Sequence, residues 1–173
     1  MHQIGKNVLY GSSGVMTVVD IREESIGNQP RSYYVLRSVV GISESLVFVP
    51  TDNERLTSSM YPLLSKEEIL ALLSDDAEFP VIEWVDNNRA RTEYFKRIME
   101  SGDRAQMLSM MRAIHESGLR RIEAGKKNFL SDESARQKTE KLLSVEFSIV
   151  LGISDDEALS LIRARIEEPV KMK

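Results

Sequence analysis

The chain has 173 residues, of which 42% are hydrophobic and 29% charged, with no cysteine and two histidines, His2 and His115. That balance is ordinary for a globular protein and excludes a collagen-like or disordered chain; no apolar run reaches the ~18 residues of a membrane helix. The net charge of −4 is uneven, with −6 over residues 1–84, +4 over 85–145 and −2 over 146–173, so the basic middle is either a face for phosphates or a solvated helix surface laced with opposite charges.

The first third reads as strands. Val8-Leu9-Tyr10 is rich in β-formers and ends in the turn Gly11-Ser12-Ser13-Gly14. Residues 15–21 alternate, with Val15, Thr17, Val19 and Ile21 on one face and Met16, Val18 and Asp20 on the other. A turn at Ile26-Gly27-Asn28-Gln29-Pro30 leads to Tyr33-Tyr34-Val35-Leu36, and Leu46-Val47-Phe48-Val49 forms a last strand closed by Pro50. Short strands joined by tight turns predict a small antiparallel barrel of SH3-like type.

After Pro62 the period becomes helical. Ser65 and Glu68 form a capping box that opens a short helix. Residues 74–80 break the chain as a linker, and a helix is expected from about Glu83 to Ser101-Gly102. Asp103 caps a second long helix whose core face reads Met107, Met111, Ile114, Leu119 and Ile122, with its end at Gly125. A third begins after Ser131 or Asp132 with Ala135, Thr139, Leu142, Leu143 and Phe147 inward, and stops at Gly152; Ser154 caps a fourth through about Glu168. The expected fold is therefore α+β, with a barrel followed by a helical bundle. Its parts are residues 1–64, a short helix and linker over 65–82, and a helical domain over 83–173.

Enzymatic signatures are missing. No P-loop and no nucleophile elbow occur, and Gly11-Ser12-Ser13-Gly14 opens a strand, where a phosphate cradle opens a helix. Without cysteine there is no disulfide, thiol nucleophile or zinc–thiolate site, and two distant histidines make no triad. Asp75-Asp76 and Asp155-Asp156 are adjacent pairs, poorly placed to converge on one metal; the second suits a helix N-terminus. Met107, Met110 and Met111 read as core filling. No catalytic residue, metal or cofactor is expected. Residues 1–6 lack the apolar core of a signal peptide, so no leader is expected either.

Several strings, in order and spacing, carry a family resemblance. They are Ile4-Gly5-Lys6-Asn7-Val8-Leu9-Tyr10 with Gly14-Val15, Tyr33-Tyr34-Val35-Leu36, Val49-Pro50-Thr51-Asp52-Asn53 and Pro62 through Glu68. In the second half they are Arg91, Lys96-Arg97, Ser101-Gly102-Asp103, and Leu142-Leu143 through Gly152-Ile153-Ser154. Together they resemble the CarD family of bacterial RNA polymerase-binding transcription regulators (CarD, CdnL and the interaction domain of the transcription-repair coupling factor).

The resemblance implies a Tudor-like barrel that binds the polymerase β subunit and a helical domain that touches promoter DNA at the upstream edge of the melted bubble, stabilising the open complex. The family's polymerase-gripping arginines do not map cleanly onto this chain; the polymerase contact is expected on the barrel around Arg22, Arg31, Arg37 and Phe48, and sequence-tolerant phosphate contacts at Arg89, Arg91, Lys96 and Arg97. A tryptophan wedge for the minor groove falls at Trp84 in one register and, counted back from Ser101-Gly102-Asp103, at Asn88 in another. Phe48 stands just before Val49-Pro50, and Glu24 where an arginine is expected. The expected protein is a cytoplasmic, nucleoid-associated monomer that is not an enzyme and makes no membrane contact. The rival expectations are a protein-binding module without the DNA wedge, and an enzyme using the carboxylate pairs.

Overall fold

A computed structural model describes residues 1–42 and 44–168. The chain forms two compact units, Met1–Leu63 and Leu64–Lys173. The first contains β1 (Asn7–Tyr10), β2 (Val15–Ser25), β3 (Pro30–Ser38), β4 (Leu46–Pro50), the single-turn helix α1 (Glu54–Thr57) and β5 (Met60–Pro62). The strands make one antiparallel sheet in the order β4-β3-β2-β1-β5. A closed barrel was expected; among the described residues β4 and β5 are the two edges, with no ladder between them.

The strands form where β-branched and aromatic residues alternate. Gly27 and Asn28 both take left-handed backbone, at φ 81° and 71°, which tightens the β2–β3 turn. The predicted alternation holds only to Val18. The β2–β3 register runs Val18↔Leu36 and then Asp20↔Val35, a bulge that leaves Val19 unpaired. One extra residue inverts the phase, so Ile21, expected beside Val15, packs instead with Val18. The core on that face is Val8, Met16, Val18, Tyr34, Leu36, Val49 and Met60, with Ile21 and Leu56 at its margin. On the other face Leu9, Val15, Tyr33 and Val35 are buried too.

The second unit is helical: α2 (Lys66–Leu73), α3 (Asn88–Glu100), α4 (Arg104–Glu123), α5 (Leu130–Leu151) and α6 (Asp155–Glu167). The capping boxes at Ser65 and Ser154 and the cap at Asp103 form as the sequence predicts. Gly152 ends α5 at φ 68°, a conformation costly for any residue with a Cβ. Residues 169–173 of the expected helical domain lie outside the described residues.

Three expectations shift. α3 begins at Asn88 and not near Glu83, because Asn87 caps it by accepting from Ala90 N–H, and the Arg91 guanidinium takes the Val85 and Asp86 carbonyls. α5 begins at Leu130, just before the expected start. Leu119 and Ile122, expected in the core, are 50% and 62% exposed. At that level α4 turns Ser117 and Gly118 inward; a Cβ on Gly118 would lie 3.1 Å from the Asn128 side chain.

α5 is central and packs against α2, α3, α4 and α6. Leu142 through Ser148 are all buried, as befits a helix enclosed on every side. Glu146 lies within that stretch. Arg104 donates from Nε to Glu146 Oε2 at 3.1 Å and from Nη2 to Oε1 at 2.8 Å, and the Leu64 N–H donates to Oε1 at 3.0 Å. Truncating one partner strands the other charge in a dry site. Glu146→Ala is expected to cost about 3–5 kcal/mol, measured as a lower urea midpoint with an unchanged slope.

Candidate functional site

The residues expected at DNA divide sharply. Arg91 has no exposed surface, and Asp132, on the first turn of α5, is nearly as buried. Arg91 donates Nε–H to Asp132 Oδ1 at 2.9 Å and Nη2–H to Oδ2 at 3.0 Å, a two-point pairing. A further Nη2 bond reaches Asn88 Oδ1 at 3.0 Å, and Asn88 Oδ1 also accepts from the Ser131 hydroxyl at 2.8 Å. Arg91 is therefore a structural hub, and its expected phosphate contact is withdrawn: every donor direction is taken inside the fold.

The same guanidinium lies 4.6 Å from the Trp84 ring centroid and 4.7 Å from that of Phe129. Arg121 stacks on Phe129 at 3.9 Å. Trp84 is half-buried and meets Phe95 edge-on at 6.1 Å. Its indole covers a buried ion pair, so packing engages it through both a cation–π contact and a ring contact. Asn88, the other wedge register, is exposed as a residue but its amide oxygen is held twice.

Arg89, Lys96 and Arg97 are exposed. Arg89, Glu93, Lys96 and Glu100 follow one another at three- and four-residue spacing, so this face of α3 carries mixed charge. The stronger concentration of cations lies where sequence reading did not place it. Arg91 and Arg121 share Phe129, and Arg121 Nε donates to the Lys127 carbonyl at 2.8 Å. These contacts gather the start of α3, the end of α4 and the start of α5. Exposed at the end of α4 are Arg120, Lys126 and Lys127, beside Glu123. Lys126 and Lys127 directly follow Gly125, where α4 has ended.

Arg136 and Arg163 are neutralised by glutamates. Arg136 is pushed above its ordinary value by its hydrogen bond to Glu133 and the nearby Glu140, and Arg163 by Glu140. Such paired groups offer little charge to a phosphate.

In the first unit the register puts Arg22, Arg31, Arg37 and Phe48 on one sheet face. Arg22 opposes Tyr33, Arg31 opposes Glu24, and Phe48 opposes Val35. The Arg22 guanidinium lies 5.5 Å from the Phe48 ring and pairs with Glu24 at 2.8 Å, while Arg31 pairs with Asp52 at 2.8 Å. Arg37 is exposed between Thr17 and Leu46. Both arginine pairs are at the surface and weak. The outer edge of β4 meets no strand among the described residues.

Among the described residues no group of three or more acidic or histidine side chains gathers as a metal site, and no helix is long and apolar enough to cross a membrane. Asp155 and Asp156 lie in the first turn of α6. Comparison with known proteins found no matching family model and no matching curated protein.

Arg91→Ala and Asp132→Ala should each lower the stability of the helical unit by about 3–5 kcal/mol, whereas Arg91→Met with Asp132→Leu should recover most of the loss. Denaturation of the wild type, the two single variants and the Met/Leu double variant measures the loss and its recovery.

Proposed function

We propose that this chain is a non-enzymatic transcription regulator of the CarD kind, with the sheet unit as its Tudor-like, polymerase-binding part and the helical unit as its DNA-contacting part. The observation that carries the reading is the gathering of unpaired cations at one end of the helical unit, in a chain whose other unit offers an open sheet edge. Phosphates reward such cations without reading sequence. The β4 edge suits pairing with a strand of the polymerase β subunit, with Arg22, Arg37 and Phe48 on the adjoining face. Contacts made only with melted promoter shift the equilibrium toward the open complex.

The DNA contacts in this reading are Arg89, Lys96, Arg97, Arg120, Lys126 and Lys127. A second reading, polymerase binding with phosphate contact but no wedge, is favoured by one observation: Trp84 is engaged by Arg91 and Phe95, and Asn88 by Arg91 and Ser131. Trp84→Ala separates the two. A wedge predicts shorter-lived open complexes with unchanged stability; a packing role predicts loss of stability and an open-complex lifetime that follows the folded fraction.

Pull-down of purified polymerase β subunit is expected with the full chain and lost on Arg22→Glu with Arg37→Glu; a chain that never recovers the subunit defeats the reading. Replacing Arg89, Lys126 and Lys127 by Gln should weaken duplex binding equally on unrelated sequences. The slope of log affinity against log salt should become shallower by about 0.9 for each phosphate that the variant no longer neutralises.

A further inference from the structure

The segment from Ser74 to Asn87 joins α2 to α3 without helix or strand. Pro80 fixes its own backbone and biases Phe79 toward an extended conformation. From Glu78 to Asp86 no backbone N–H has a hydrogen-bond partner among the described residues, and Val81 is 90% exposed. Main chain in this state is paired by water, and equally well by another chain.

Between this segment and helices α4 and α6 lies a half-open cleft of about 680 Å³. Phe79, Val81, Ile82 and Ala113 give it an apolar wall. Arg112 and Arg165 set their guanidiniums 5.1 and 4.8 Å from the Phe79 ring centroid. Arg165 is only 8% exposed; its Nη2 donates to the Ala77 carbonyl at 2.8 Å, and Arg112 Nη2 donates to the Arg165 carbonyl at 2.6 Å. The Nε of each arginine is buried with no acceptor. Burial, and then the charge of Arg165, push Arg112 below the usual guanidinium value. Two unmet donors ask for an acceptor such as a peptide carbonyl.

The rim asks for the opposite charge. Asp75, Asp76, Glu78, Glu116 and Glu168 line the cleft against the two arginines, and among them Glu168 alone has an ion pair, at 3.5 Å to Arg165. A free anion must cross that rim, and a small amine leaves the main-chain donors and the arginines unused. A cationic peptide answers all three features.

We infer that this cleft docks a lysine- or arginine-rich peptide segment of a partner protein. Its cations meet the carboxylate rim, its apolar side chains meet Phe79 and Ile82, and its carbonyls take the open N–H groups of the segment and the turned guanidiniums of Arg112 and Arg165.

The test uses the full chain and a capped heptapeptide alternating lysine and valine, followed by backbone-amide NMR at about 0.1 M salt, where only near charges act. Saturable binding is expected, with shifts confined to residues 77–84, 112–116 and 165 and with amide exchange of Val81 to Trp84 slowed about tenfold. D76K with E78K should weaken binding at least tenfold. E23K with E44K, an equal change of charge on the sheet unit, should change it less than twofold. Absence of saturation, shifts scattered over the surface, or equal loss in both double variants overturns the inference. So does equal binding of spermine, which makes the cleft an amine site, or tighter binding of a glutamate–valine heptapeptide, which makes it an anion site.

Discussion

Three carboxylates on α5, Asp132, Glu140 and Glu146, are each gripped by arginine: Arg91 from α3, Arg136 and Arg163 from α5 itself and α6, and Arg104 from α4. Taking such charges from water is costly, and an apolar substitute of equal volume is often as stable. What the pairs add is placement. Asp132 and Glu146 are 14 residues apart, about 21 Å along a helix at 1.5 Å per residue. A slide of α3 or α4 by one turn would leave a buried guanidinium and a buried carboxylate both unmet. The apolar faces alone, rich in adaptable methionine at Met107, Met110 and Met111, would tolerate such a slide more readily.

These internal pairs also decide what the surface charge is. Residues 85–145 carry a net +4, but Arg91 and Arg104 are spent inside and Arg136 lies between two glutamates. The cations left for a partner are fewer and more local than composition implies. The same pairing changes the meaning of Trp84. Its indole lies over a guanidinium that is itself fixed by Asp132, so freeing the ring uncovers a buried ion pair. A side chain with that duty is a poor candidate for insertion into a base step, whatever its place in the chain order.

Local chemistry was readable from sequence; partners distant in sequence were not. The caps at Ser65, Asp103 and Ser154 involve residues three apart, and each could be seen in a window of four. The inward residues of α5, from Ala135 to Phe147, followed from helical period. By contrast Arg91 finds Asp132 41 residues away, and nothing near Arg91 distinguishes it from the exposed Arg89 and Arg97. Leu119 and Ile122 satisfied the apolar period of α4, yet the inward surface there belongs to Gly118 and Ser117, which let Asn128 approach. In the sheet, alternation in β2 was plain, but the bulge at Val19 that reverses its phase is set by the pairing with β3. α1 and β5, of four and three residues, are too short for any period to show.

With the internal pairs discounted, the helical unit presents two surfaces of opposite sign. One is the end of α4 with Arg120, Lys126 and Lys127; the other is the cleft rimmed by Asp75, Asp76, Glu78, Glu116 and Glu168. A net charge of −4 describes neither. Fields from such patches fall off within about 8 Å at physiological salt, so each acts on what touches it rather than on the molecule as a whole. A polyanion is drawn to one and repelled by the other, and a basic peptide the reverse, so charge alone limits the ways either can bind. The arrangement rests again on α5. Asp132 holds Arg91, and Arg91 shares the Phe129 ring with Arg121.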